Sequence, residues 1–252
     1  MTALDTARRL LDQPAPPVLT GQTAVDTLPD RPGNGLTVLD LCCCAGGASM
    51  GYWLAGFDVV GVDIVDRPRY PFPFVQADAV QYVRDHGADY DLIHASWPCQ
   101  AKCTLTKGTN AHLADRYIDL LPEGRAAMLA TGRPYVIENP EARRDIELCG
   151  TQFGLPILRH RRFEVHGWTP MGIPHTRHRG RVRGHRHGKK YPGEYVAIYG
   201  KGGGKATVPE AQAALGITWT DVHTELTEAI PPAYTRFLGE QAAAQLAPAA
   251  AR

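Results

Sequence analysis

The chain is predicted to be an α/β protein built on a mostly parallel sheet, on three observations. Short apolar runs repeatedly end in an acidic residue, helical spacing follows most of them, and turns rich in Gly, Pro and small residues separate the segments. The 252 residues suffice for one large domain or a domain with a small lobe, and 44% hydrophobic content is enough for a real core.

Residues 1–35 are rich in Pro, Asp, Thr and Gly with weak periodicity, which predicts a linker or loose arm in which ARRLLD forms a helical turn or two. The texture changes at Leu36. LTVLDL predicts a buried strand, AGGAS a turn, and MGYWLAG the helix that the turn opens. DVVGVDI and FVQADA predict a second and third strand, VQYVRDHG a helix, DLIHASWP a fourth strand and PYVIEN a fifth. RRFEVHGW and EYVAIYG predict further strands, expected to be antiparallel. TRFLGEQAAAQLA predicts the last helix, ahead of a fraying tail.

Composition excludes several classes. No apolar run approaches a membrane span, and the charged first residues lack the apolar stretch of a secretory signal. Six cysteines, three of them adjacent at Cys42, Cys43 and Cys44, do not form a disulfide framework, so a reducing cytoplasm is the expected location. The net charge of +1 hides an uneven distribution. Residues 143–205 hold 14 Lys and Arg against 4 Asp and Glu, while the rest holds 13 against 22. A basic segment on an acidic chain is the footprint of a polyanion site, with a solvated basic loop as the plainer reading.

Three successive strands end in acids. Asp40 closes the first, ahead of the small turn Ala45, Gly46 and Gly47. Backbone amides at such a turn can approach a ligand closely. Asp63, which closes the second strand, can accept both hydroxyls of an adenosine ribose. Asp78, after the third, can meet the adenine amino group. Any one of these acids alone reads as readily as a helix cap. There is no phosphate-binding Gly-x-x-x-x-Gly-Lys loop, which favours a nucleoside without phosphates over ATP. Cys99 follows Pro98 at the end of the fourth strand, in the crevice where open α/β sheets bind ligands. A buried structural cysteine is the plainer reading. Glu138 closes the apolar fifth strand, where a pocket would raise its pKa.

Taken in order, these segments resemble the DNA cytosine-5 methyltransferases, especially their compact phage and actinobacterial forms. DLCCCAGGASMGYWLAGF is similar to the family's first motif. VDI and ADA are similar to the second and third, Pro98–Gln100 to the catalytic loop, and Ile137–Asn139 to the Glu-Asn motif. LRHRRF resembles the Gln-x-Arg-x-Arg motif, with Arg159 and Arg161 on its arginines, and Thr227–Tyr234 resembles the last motif. Cys42 stands where the family has Phe, Cys44 where it has Gly, Trp97 where it has Pro, and Glu228 where it has Asn.

The resemblance implies a Rossmann-like fold that binds S-adenosylmethionine. Asp40, Cys42, Ala45, Gly46, Gly47, Asp63, Ile64, Asp78, Ala79, Pro98, Glu228 and Ala229 would line the cofactor site. Cys99 and Glu138, with Arg159 and Arg161, would act on a flipped cytosine. A thiolate adding at carbon 6 makes carbon 5 nucleophilic, and an acid at N3 stabilises the developing charge.

The resemblance also implies that residues 36–164 form the catalytic domain, that 165–226 form a reduced target-recognition region, and that 227–252 return to the catalytic domain. PHTRHRGRVRGHRHGKK in the insert nominates Arg177, Arg179, Arg181, Arg183, Arg186, Lys189 and Lys190 for phosphate contacts. His175, His178, His185 and His187 could hold zinc, but no cysteine accompanies them in the segment, so no metal is expected. The expected partner is DNA, and the chain is expected to be a monomer. Action on RNA or a free cytosine nucleotide, and a silent nucleic-acid-binding module, are the alternatives.

Overall fold

Alternate residues of a strand face opposite sides of a sheet, and β1 (Thr37–Leu41) uses both sides. Val38 packs into one apolar cluster with Tyr52, Phe57, Phe237 and Leu238. Leu39 and Leu41 pack into another with Val62, Val83, Ile93 and Met128. A strand buried on both faces requires helices on both, and the connections supply them. The computed structural model describes residue 28 and residues 31–99, 118–175, 177–186, 189–199 and 206–246.

The main sheet has seven strands in the order β3-β2-β1-β4-β5-β7-β6. These are β2 (Asp58–Asp63), β3 (Phe74–Gln76), β4 (Leu92–Ala95), β5 (Tyr135–Glu138), β6 (Ile146–Leu148) and β7 (Arg161–His166). Strands β1 to β5 pair in parallel, and β7 runs antiparallel to both β5 and β6. Helix α1 (Gly47–Leu54) lies against the first cluster, whereas α2 (Ala79–His86) and α3 (Leu121–Ala130) lie against the second. The crossovers from β1 and β4 therefore leave on opposite faces. The carboxyl ends of those two neighbouring strands are the switch point of the sheet.

The second half of the chain adds a three-stranded sheet of β8 (Val182–Arg186), β9 (Lys189–Tyr191) and β10 (Tyr195–Val196). Among the described residues three helices follow: α4 (Val208–Leu215), α5 (His223–Glu228) and α6 (Pro232–Leu246). Helix α6 packs beside α1, where the Thr235 hydroxyl donates to the Ala48 carbonyl at 2.8 Å. Among the described residues no helix is long and apolar enough to cross a membrane.

Several expectations change. EYVAIYG contributes only the two-residue strand β10, and it pairs with β8 in parallel rather than antiparallel. The last helix begins at Pro232, three residues ahead of Thr235, because proline suits a first helical turn. The structured unit also begins before Leu36. Arg31 donates to the Phe57 carbonyl at 2.6 Å, pairs with Asp58 at 2.8 Å and lies over the Trp53 ring, so residues 31–35 are fastened to the domain. The rest of the arm falls outside the described residues apart from residue 28.

Candidate active site at the carboxyl edge of the sheet

Strand register builds this site. Leu41 is paired with Val62 on one side and Ala95 on the other, and Ala95 is paired with Ile137. The next residues outward are Cys42, Asp63, Ser96 and Glu138, which therefore form one row along the carboxyl edge. With strands ~4.8 Å apart, Glu138 stands three strands, roughly 14 Å, from Asp63. The loops after β1 and β4 lie between them.

The turn after β1 is tightly specified. Gly46 has φ of 79° and caps α1, a conformation that favours glycine. A Cβ on Gly47 would collide with the Ile230 carbonyl oxygen and touch Ala229, so the C-terminal segment closes on the turn only because Gly47 has no side chain. Trp219 Nε1 donates to the Ala45 carbonyl at 2.6 Å, and the Cys44 thiol points at Glu228 Oε2 at 3.9 Å. Glu228 and Ala229 thus reach Cys44 and Gly47 from far along the chain. Cys42 and Cys44 take positive φ of 56° and 47°, which costs a non-glycine residue about 1–2 kcal/mol. At the place of Cys44 the resembled family has Gly. Burial pushes the Cys42 thiol well above its ordinary range, with Asp63, Asp40 and Asp78 adding to the shift. Burial likewise pushes Cys44 up to about 12, with Arg67 opposing and Glu228 adding. Both thiols are protonated at neutral pH.

The three strand-end acids have different roles. Asp63 is buried. Its carboxylate accepts the backbone N–H of Cys44 at 3.0 Å and of Val65 at 3.0 Å, and Arg67 pairs with it at 3.1 Å. Each oxygen holds one backbone donor, and Arg67 covers the remaining lone pairs. Beside it, Ile64 is 66% exposed and Val65 is exposed too, an apolar wall next to the buried carboxylate. Asp78 caps α2 by accepting from the Gln81 backbone N–H at 2.8 Å, and Ala79 behind it is buried.

Asp40 departs from expectation. Strand alternation turns its side chain inward, where its carboxylate accepts the Ser49 hydroxyl and Ser49 in turn meets the Tyr70 hydroxyl at 2.7 Å. Burial pushes its carboxyl up to about 7, with the Ser49 hydrogen bond opposing and Asp63 adding. Oδ1 has no hydrogen-bond partner among the described residues. Asp40 belongs to the support under the turn, away from the ligand face.

On the other side of the switch point, Cys99 is half-buried after Trp97 and Pro98. Asn139, the residue after Glu138, is buried and donates from Nδ2 to the Trp97 carbonyl at 3.0 Å, tying the cysteine loop to β5. Its own Oδ1 accepts from the Glu141 backbone N–H at 3.0 Å, so the amide is oriented at both ends. Arg161 Nε approaches Glu138 Oε1 at 3.3 Å. That nitrogen has no aligned hydrogen bond among the described residues, so the contact with Glu138 is one of charge.

Arg159 again differs from expectation. It donates to the Ile198 carbonyl at 3.0 Å and the Thr227 carbonyl at 2.6 Å, while its own carbonyl accepts the Tyr234 hydroxyl at 2.5 Å. Burial and the neighbouring Arg161 lower it to about 9, with Glu138 opposing, and it stays charged at neutral pH. Arg159 pins three segments together, and only Arg161 of the pair meets Glu138.

In the basic insert, Arg177, Arg179 and Arg181 are exposed, whereas Arg183 is drawn into an ion pair with Glu210 at 3.1 Å. Arg186, Lys189 and Lys190 lie on the β8–β9 hairpin, where Arg186 is opposite Lys189. The histidine expectation also changes shape. His175 and His178 meet Cys149 and His160, which come from outside the insert, so the composition of the segment alone does not reveal this group.

Sequence reading also missed Asn139 as the tie to the cysteine loop, and Arg67 on Asp63. The second had a legible signal, since Arg67 lies four residues beyond Asp63.

No protein-family model matches the chain, and no curated protein matches its sequence. Solved structures do resemble it. The methyltransferase EhMeth of Entamoeba histolytica aligns over 86% of this chain and 99% of its own, at 11% identity and a TM-score of 0.53. A SAM-dependent methyltransferase of Agrobacterium tumefaciens aligns over 48% of this chain and 42% of its own, at 22% identity and a TM-score of 0.30. A DNMT2 mutant of Spodoptera frugiperda aligns over 51% and 49%, at 17% identity and a TM-score of 0.39. The chain thus spans about half or less of the last two structures. The EhMeth likeness and the strand order give the fold: a Rossmann-like, mostly parallel α/β sheet.

Proposed function

We propose that the protein transfers a methyl group from S-adenosylmethionine to carbon 5 of cytosine in DNA, with Cys99 as the nucleophile. The observation that carries this reading is the Asn139–Trp97 hydrogen bond. It couples the Cys99 loop to the strand that ends in Glu138, the carboxylate met by Arg161.

The residues around β1 and β2 fit such a cofactor: a lean Gly46–Gly47 turn, the apolar Ile64 and Val65, and Asp63 as acceptor for a ribose diol. Arg67, whose side chain is 22% exposed, then has to give up the lone pairs it covers. When bound, the cofactor supplies an electrophilic methyl group. Cys99 adds to carbon 6 of the base. Glu138, in its acid form, holds the N3 edge and donates the proton that neutralises the charge developing there. Arg161 keeps the Glu138 carboxyl oriented. Once carbon 5 carries the methyl group, its proton passes to solvent water, the thiolate leaves, the double bond returns and N3 gives its proton back to Glu138. The exposed arginines of the insert hold the backbone phosphates.

DNA carrying 5-fluorocytosine tests the reading, because fluorine does not leave as a proton does and the thioether persists. Mass spectrometry of the trapped complex should find the adduct on the peptide containing Cys99. An adduct on another cysteine, or on none, overturns the mechanism. Parallel reactions with RNA and with free cytidine nucleotide, read by radiolabelled methyl incorporation, decide the substrate class.

A further inference from the structure

We propose that Cys149, His160, His175 and His178 bind one zinc ion, and that this ion clamps the basic insert to the catalytic domain. One ligand atom from each of the four residues lies within 4.8 Å of all the others. His178 Nε2 stands 3.3 Å from Cys149 Sγ and 2.9 Å from His175 Nε2. The three imidazoles pack against one another with ring centroids 4.8–5.2 Å apart. Tetrahedral zinc with bonds of ~2.3 Å to sulfur and ~2.0–2.1 Å to nitrogen separates its ligand atoms by roughly 3.3–3.6 Å. The closest contacts already lie within about half an ångström of that spacing, and the widest separations have to close by up to about 1.5 Å.

The donor set selects the metal. One thiolate and three imidazoles suit zinc, whereas magnesium and calcium prefer oxygen ligands. Four protein ligands close the coordination sphere, so the site is structural rather than catalytic. The cysteine is prepared for the role. Cys149 is fully buried at the start of the Gly150–Phe153 turn. Its sulfur accepts from the Gln152 backbone N–H and from the Thr151 hydroxyl at 3.4 Å, donors that stabilise a metal-bound thiolate.

The placement gives the clamp its purpose. Cys149 and His160 belong to the sheet domain, and His160 sits between Arg159 and Arg161. His175 and His178 belong to a stretch that leads into β8 and has no helix or strand among its described residues. Among the described residues the insert's strands are five, three and two residues long, and its buried residues, such as Val196, Ile198 and Leu215, join the main apolar cluster rather than form a core of their own. A metal joining the two parts orders that stretch and fixes the start of the strand that carries Arg161 to Glu138. The four residues are spread from 149 to 178, so binding stabilises the fold of both parts together.

The test is metal analysis of the full chain, purified without chelator. Mass spectrometry of the metals should find about one zinc per chain in the wild type and in His86→Ala, an exposed histidine elsewhere. Cys149→Ser and His178→Ala should lose it at least tenfold. If those variants do not fold, the wild type still decides. Chelator-stripped protein given cobalt(II) alone should develop the strong visible bands of a tetrahedral complex and a thiolate-to-cobalt charge-transfer band. Zinc addition should abolish both. Limited proteolysis of the stripped protein should open the 167–180 stretch, and zinc should protect it. Absence of stoichiometric metal together with an octahedral cobalt spectrum overturns the proposal, as does metal content unchanged in well-folded Cys149→Ser and His178→Ala.

Discussion

Residues 42, 63, 96 and 138 come together because parallel strands in register end in one row. Residues 149, 160, 175 and 178 come together although no single ladder relates them. The first group lies on a scaffold buried on both faces, whose shape follows from apolar periodicity. The second lies at the join between that scaffold and an insert too thin to have a core of its own. Chemistry at the sheet edge is therefore expected to respond to single side chains, and binding through the insert to add up from many small contributions.

The largest effect should come from the edge. Cys99→Ser is expected to reduce methyl transfer to background while S-adenosylmethionine binding persists, because an alcohol is a far weaker nucleophile than a thiolate. Cys103→Ser, four residues on and outside the described residues, should retain activity. Equal loss in both variants would mean that the loop, and not the thiol, is what matters. Asn139→Ala asks about the loop directly. Removing the bond to Trp97 should lower kcat ~100-fold through mispositioning of Cys99, with little change in cofactor affinity. Single-turnover kinetics beside calorimetry separate the two, and an unchanged kcat would detach Asn139 from the site.

Most of the edge was legible in the sequence because its signals are local and periodic: an apolar run, an acid, a small turn. The same logic misplaced Asp40. It ends an apolar run as Asp63 does, but strand alternation turns it beneath the turn, and only the packing of Ser49 and Tyr70 reveals that. Arg159 was misread in a related way, since a motif position does not say which carbonyls a buried guanidinium will find. Helix α4 carried an unread signal, the Thr207–Glu210 capping box closed by Gly216. The metal-type cluster had no comparable signal, because half of its members lie outside the segment whose composition drew attention.

Asp63→Ala should weaken S-adenosylmethionine binding ~10–100-fold: one of the two ribose hydrogen bonds only replaces the Arg67 contact, so the net loss is about one hydrogen bond to a charged acceptor, worth about 1.5–3 kcal/mol. Calorimetry with unchanged affinity would remove Asp63 from the cofactor site and leave it as the support of the Cys44 and Val65 amides.

A smaller effect concerns stability against pH. The Asp40 carboxyl, raised to about 7 by burial, contributes stability that is present below pH ~4 and lost as pH rises through 7. His94, its partner in the next strand, is lowered to about 3 by burial, so its contribution is present above pH ~6.5 and lost as pH falls towards 3. The two slopes oppose each other over the same window. Asp40→Asn should unmask the histidine, giving stability that climbs with pH between ~4 and ~6.5 by up to about 1.4 kcal/mol per unit. Urea titrations at several pH values read this directly, and a variant as flat as the wild type would show that the two groups do not titrate in opposition.

The smallest effects belong to the insert, and they discriminate among its arginines. Removing one phosphate-binding charge should lower the slope of log affinity against log salt by about 0.9. Arg179 and Arg181 are exposed, so Arg179→Gln and Arg181→Gln should each take away close to that amount on duplex DNA. Arg183 is held by Glu210 at 3.1 Å, and a guanidinium already neutralised by a carboxylate releases fewer counterions when it meets phosphate. Arg183→Gln should therefore change the slope by clearly less than the other two. Glu210→Gln should free Arg183 and steepen the slope slightly, and the double variant should return to the value of Arg183→Gln alone. Equal reductions for all three arginines would mean that Arg183 abandons Glu210 for the phosphate. An unchanged slope for all of them would leave the basic insert a solvated surface, with the affinity for nucleic acid residing at the sheet edge.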